Sequence, residues 1–216
     1  MLKLTKPEKT ICFNVVRQFI YLCIIFSFIF FMHFLSAHYH RHTFAEGGVV
    51  ENLQLTLLLS SGIIFLMQIR LRPEYAPVLW LLASCSFLAS CRELDRFFDH
   101  NLPIISWKIG FIFPLIAFYK AYRRRWYLKK ALLRFFTSPS FYMMCCAMII
   151  ILPIAQCIGH RPFVTNVLGT PRIAYIKELF EESTEAMGYL LIFLSSIECF
   201  WSLPKTVKIH LKRRKS

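Results

Sequence analysis

The sequence predicts an all-α, polytopic membrane protein built as a bundle of six transmembrane helices. Three observations carry that expectation. The chain of 216 residues is 56% hydrophobic, with 22 Phe against 7 Gly, which is too apolar for an ordinary soluble domain. Its charges are confined to short segments that flank apolar runs. Six of those runs approach the length of about twenty residues that crosses a bilayer. The expected spans are about 18–37, 51–69, 76–98, 104–119, 141–158 and 186–203, in a single membrane domain over 1–216. A formal charge of +14 would suit nucleic acid, but cations placed beside apolar runs belong to a bilayer interface, so nucleic-acid binding is not expected.

The first run follows Lys3, Lys6, Lys9 and Arg17, and lacks the small-residue site and polar mature chain of a cleaved signal peptide. His38, His40 and His42 then alternate before Gly47 and Gly48; an extended backbone would bring the three to one face, yet no fourth metal ligand is fixed by spacing, so a solvated interfacial loop is expected. The second run opens with Glu51 and Gln54, favourable near a helix N-terminus, and continues through the small residues Ser60, Ser61 and Gly62. Arg70 and Arg72 close it. The third is only about fifteen residues long before Arg92, Glu93, Asp95, Arg96, Asp99 and His100, so part of this ionic segment is expected at headgroup depth or inside the bundle.

The fourth run carries Lys108, to snorkel or to counter an acid, and Pro114 as a kink. A basic cytoplasmic loop over 120–139 follows, with Lys120, Arg123, Arg124, Arg125, Lys129, Lys130 and Arg134 among Trp126, Tyr127 and Phe135, a composition suited to anionic lipid. The fifth run contains Pro153. The sixth follows a helix on which Glu178, Glu181, Glu182 and Glu185 fall at i, i+3, i+4 and i+7, four carboxylates on one stripe. Glu198 lies inside this run, to snorkel toward the basic tail over 204–216 or to be protonated. The eight Cys form no CxxC pair or secreted framework and read as packing residues.

Six crossings place both termini on one side. That side holds 19 of the 26 Lys and Arg, so the positive-inside rule makes both termini cytoplasmic. The acids run the other way, toward the outer ends of the second, third and sixth runs. Orientation does not require acids there, so they predict a site: Glu51, Glu93, Asp95, Glu182, Glu185 and His100 as ligands of a divalent metal ion, with Glu93, Asp95, Glu182 and Glu185 as candidate catalytic groups. GxSxG, HExxH, Walker and Rossmann signatures are absent, and no organic cofactor site is expected.

ENLQ at 51–54, SCRELDRFFDH at 90–100, SPSF at 138–141 and KELFEESTEAMGYLL at 177–191 resemble the pattern of a group of uncharacterised bacterial multi-span membrane proteins. The resemblance covers most of the chain and implies the bacterial inner membrane, with no activity to transfer. Alkaline-ceramidase-like membrane hydrolases, which bind zinc through a Ser, an Asp and three His, are a poorer match because the last two expected spans contain no His. The resulting expectation is an inner-membrane protein whose outer acidic, His-bearing site binds a divalent cation or a lipid headgroup. The alternatives are a metal-assisted enzyme acting on a lipid or lipid-linked substrate, and a non-catalytic assembly protein that joins a membrane partner or a second copy through its small-residue faces. A carrier would need more polar groups in mid-span than His33, Gln68, Gln156 and Glu198 provide.

Overall fold

The computed structural model describes residues 5–38, 43–44, 48–95, 106–160 and 173–203. Among these the chain is helical: α1 Lys6–His38, α2 Val49–Leu71, α3 Ala76–Glu93, α4 Ile112–Arg123, α5 Arg125–Phe136, α6 Pro139–Ile149 and α7 Ile173–Ser202. Single 3₁₀ turns at Pro73–Tyr75 and Trp107–Phe111 lead into α3 and α4.

Local chemistry sets several of these boundaries. Helix α1 starts well before its apolar run, at Thr5-Lys-Pro-Glu8, where Glu8 makes its half of a capping box: the Thr5 amide and hydroxyl donate to Glu8 Oε2 at 2.6 and 2.8 Å. The long α6 continues through a π turn, Ile150–Ala155, to a last α turn at Gln156–Gly159. Pro153 lies inside that π turn: it has no N–H, its ring crowds the carbonyl four residues back, and a wider turn relieves both. Pro114 sits near the start of α4, where a missing N–H costs nothing, so it does not kink a span.

Six crossings are not found among the described residues. Among the described residues four helical stretches are long and apolar enough to cross a membrane: Glu8–His38, Val49–Leu71, Pro73–Glu93 and Pro139–Ile158. The expected span at 104–119 fails on length, since α4 has 12 residues, about 18 Å at 1.5 Å per residue, against a hydrocarbon core of about 30 Å. The expected span at 186–203 falls almost wholly on α7, a 30-residue helix that is not among these four stretches; Glu185 precedes its apolar part and Glu198 lies within it. The charge count that placed both termini on the cytoplasmic side was taken over six crossings and does not carry over to these four stretches. The basic segment over 120–139 is mostly helical, as the end of α4 and α5, rather than a loop.

The chain divides into two compact units. The first comprises Met1–Thr56 with Cys145–Leu194, and the second Leu57–Met144 with Ser195–Ser216. The first unit is centred on Met32, Leu35, Phe44, Val50 and Ala186, with Phe28 and Leu179 packed against them. Within it α7 approaches α6 closely at Gly188, where a Cβ would run into the Ile151 side chain. The second unit is centred on Phe65, Tyr75, Val78, Leu79, Ala83, Ala131, Phe135, Cys199 and Leu203. There Gly62 of α2 faces the Phe87 ring of α3, and a Cβ would lie 2.8 Å from Phe87 Cζ. Large apolar side chains remain exposed along α1 (Phe19, Phe26, Phe30), α4 (Leu115, Phe118) and α6 with its π turn (Ile149, Leu152), as expected of surfaces solvated by lipid tails.

Candidate functional site

In the first unit the acid stripe of α7 meets the first turns of α2. Gln54 is fully buried, and its Nε2 donates to Glu182 Oε2 at 2.9 Å and to the Glu182 main-chain oxygen at 3.0 Å. A carboxylate only accepts, so the amide must turn its nitrogen toward Glu182. Gln54 Oε1 is then left buried with no hydrogen-bond partner among the described residues. Glu185, one turn further along α7, is 5% exposed, and Glu51, one turn before Gln54, is half-buried. The four-Glu stripe therefore divides: Glu182 and Glu185 face protein, whereas Glu181 is held by Lys177 at 3.3 Å across one helical turn. Carboxylate and amide oxygens are the donor type that hard cations take.

In the second unit α2 and α7 run parallel, with Gln68–Ser196 and Arg72–Phe200 each 128 residues apart. Gln68 Nε2 donates to the Ser196 carbonyl at 2.8 Å. Arg72, 3% exposed, reaches the carbonyls of Phe200 and Leu203, and that of Cys199 at 3.4 Å, with its guanidinium 5.3 Å from the Phe200 ring centre. The last turn of a helix leaves its carbonyls without intrahelical donors and carries the negative end of the macrodipole. A planar guanidinium with five donors satisfies both at Phe200 and Leu203, while the Cys199 carbonyl also accepts from the Leu203 N–H at 3.3 Å. Ser140 and Ser195 close the α6 side of this packing: Ser140 Oγ donates to the Ser195 carbonyl at 2.8 Å and Ser195 Oγ to the Ser140 carbonyl at 2.9 Å. Glu198 is fully buried, so it does not snorkel toward the tail.

The sequence-derived candidates fall into both units. Glu51, Glu182 and Glu185 belong to the first; Glu93 and Asp95 belong to the second, at the end of α3, where Glu93 lies 3.6 Å from the neighbouring Arg92. His100, Arg96 and Asp99 lie outside the described residues, as do His40 and His42. His38 is helical rather than part of a loop, stacking on Phe34 at 4.3 Å. Among the described residues no group of three or more His, Cys, Asp or Glu is placed to hold a metal ion. Lys108 is exposed on the 3₁₀ turn before α4 and meets no acid among the described residues. The small-residue faces expected to be available for a partner are used within the chain: Ser61 is buried and donates to Leu57 O, while Ser86 and Ser90 are buried and bond back to Leu82 O and Ser86 O.

Sequence reasoning missed Gln54 as the residue that positions Glu182, and Arg72 as a buried cap. A signal was present. Gln54, Ser61 and Gln68 recur every seven residues, and with Leu58, Phe65 and Arg72 they make an alternating four-three spacing that is buried throughout. Polar residues at heptad spacing in an apolar helix mark a face turned toward another helix rather than toward lipid.

The fold and these two polar clusters define the chain as a multi-span helical membrane protein with charged and amide groups buried between its helices. Compared with protein-family models, curated proteins and solved structures, the chain matches none.

Proposed function

We propose that this membrane protein binds a cation at the cluster of Glu182, Glu185 and Gln54, with Glu51 on the adjoining turn of α2. The ligand is a divalent metal ion that keeps part of its water shell, or the ammonium group of a lipid headgroup. One observation carries the reading: the buried Gln54 amide fixes Glu182 while its own Oε1 has no partner among the described residues. A buried acceptor of that kind is costly, and a cation beside it would satisfy it. Few protein ligands suffice for an ion such as Mg²⁺, which dehydrates reluctantly and is commonly held by one or two carboxylates. This fits a cluster that falls short of three His, Cys, Asp or Glu in coordinating positions. The excess of cations beside apolar runs and the resemblance at ENLQ, RELD and KELFEESTEAMGYLL favour the bacterial inner membrane as its location.

Binding only to the folded state raises stability by RT ln(1 + [L]/Kd), about 1.4 kcal/mol at tenfold saturation. Detergent-purified protein is melted with and without Mg²⁺, Mn²⁺ or ethanolamine, beside Glu182→Gln/Glu185→Gln, and its metal content is measured after gel filtration. A ligand-dependent rise in Tm that disappears in the double variant supports the reading. An equal rise in both proteins, or none in either, sinks it.

A further inference from the structure

We infer that helix α5 and the adjoining end of α4 form a binding surface for the headgroups of anionic phospholipids in the membrane that holds the protein. Helix α5 has two faces. Leu128, Ala131, Leu132 and Phe135, at i, i+3, i+4 and i+7, pack into the core of the second unit. Trp126, Lys129, Lys130 and Leu133 follow the same spacing on the opposite side and are all exposed, Trp126 at 85%.

The charge around this surface is uncompensated. Lys120, Arg123, Arg124, Arg125, Lys129, Lys130 and Arg134 meet no carboxylate among the described residues. Their protein partners are instead aromatic rings, a carbonyl and hydroxyls: Lys120 lies 3.5 Å from the Trp80 ring centre, Arg123 6.0 Å from that of Tyr119 and Arg125 5.3 Å from that of Tyr122. Arg124 donates to the Pro73 carbonyl at 3.4 Å, Arg125 to the Tyr122 hydroxyl at 3.1 Å and Arg134 to the Tyr75 hydroxyl at 3.0 Å. Glu74, on the turn that packs against α5, makes no ion pair with it. Lys129 and Lys130 have no protein partner among the described residues.

The occupant follows from what borders the patch. Leu115, Phe118 and Tyr122 are exposed at helical spacing along α4, with Phe111 exposed on the turn before it, and Trp126 is exposed on the first turn of α5, just past the break at Arg124. The order along the chain is apolar, then Tyr and Trp, then lysine. That is the sequence of environments met when passing from lipid tails through the headgroup boundary to the phosphates. A soluble acidic protein or a nucleic acid would leave the apolar part of this surface unmatched, whereas an anionic phospholipid matches both parts.

Binding is tested on the full chain in neutral detergent by native mass spectrometry, titrating phosphatidylglycerol and, separately, phosphatidylcholine, with inorganic phosphate and an oligonucleotide as soluble competitors. Phosphatidylglycerol is expected to bind preferentially. Lys129→Gln/Lys130→Gln should weaken it about tenfold to thirtyfold, at about one decade or less per lysine removed, with Tm unchanged because neither residue has a protein partner. Lys9→Gln, on α1, should leave binding unchanged. Equal binding of the two lipids, an unaffected double variant, or displacement by free phosphate or the oligonucleotide at matched phosphate concentration would overturn the inference.

Discussion

Arg72→Met tests the buried cap directly. The substitution keeps the apolar stem of the side chain and removes the guanidinium that serves the carbonyls of Cys199, Phe200 and Leu203. Hydrogen bonds to a charged group contribute about 1.5–3 kcal/mol each, so three amount to about 6 kcal/mol gross. Removing a charge that folding had to strip of water returns about half of that. The net loss is about 3 kcal/mol. At about 2–4 °C per kcal/mol for a chain of this length, the Tm in detergent should fall by about 6–12 °C. Arg72→Lys keeps the charge but not the fork and should lose about half as much. The assay is circular dichroism during heating, with hydrogen exchange at 199–203 as the local readout. An Arg72→Met protein melting within about 2 °C of wild type, with unchanged exchange at the end of α7, would refute the capping argument.

Gln54→Glu sets a third carboxylate against Glu182; at about 4 Å and an effective dielectric of about 20 the repulsion reaches about 4 kcal/mol before proton uptake relieves part of it. Its Tm should fall in chelator and recover when Mg²⁺ is added, and failure to recover argues against a cation there. Gly188→Ala should destabilise by about 1–3 kcal/mol, because the new methyl meets Ile151, and Ile151→Ala in the same chain should restore part of the loss. Ser140→Ala removes a hydroxyl bonded to the Ser195 carbonyl and should cost about 1 kcal/mol, whereas Ser60→Ala, outside this pair, should change Tm little.

Much of the helical framework can be read from the sequence because apolar length is a local property. The runs at 18–37 and 51–69 lie within α1 and α2, and 141–158 within α6 and its continuation. The errors arose where local apolarity and helix geometry part company. The run at 104–119 is apolar enough, yet Trp107–Phe111 winds as a 3₁₀ turn and leaves α4 too short to cross. Residues 120–139 look like a loop by charge, but Leu128, Ala131, Leu132 and Phe135 supply a helical apolar stripe that docks α5. Glu182 and Glu185 stood out as an acid stripe; that Gln54 would hold one of them did not, because the pair is 128 residues apart in sequence.

The sequence by itself determined an apolar composition consistent with a membrane protein, where four long apolar helices lie among the described residues, and which segments carry cations. Composition and run length fix those properties through the free energy of placing each residue in hydrocarbon or water, residue by residue. Only the tertiary structure decided which polar groups leave water for protein. Gln54, Gln68, Arg72 and Glu198 are buried because each lies on a helix face turned toward another helix, and that choice depends on partners distant in the chain. Arg72 shows the difference most plainly. In the sequence it is one more cation closing a span, and in the fold it is the donor that completes the end of α7.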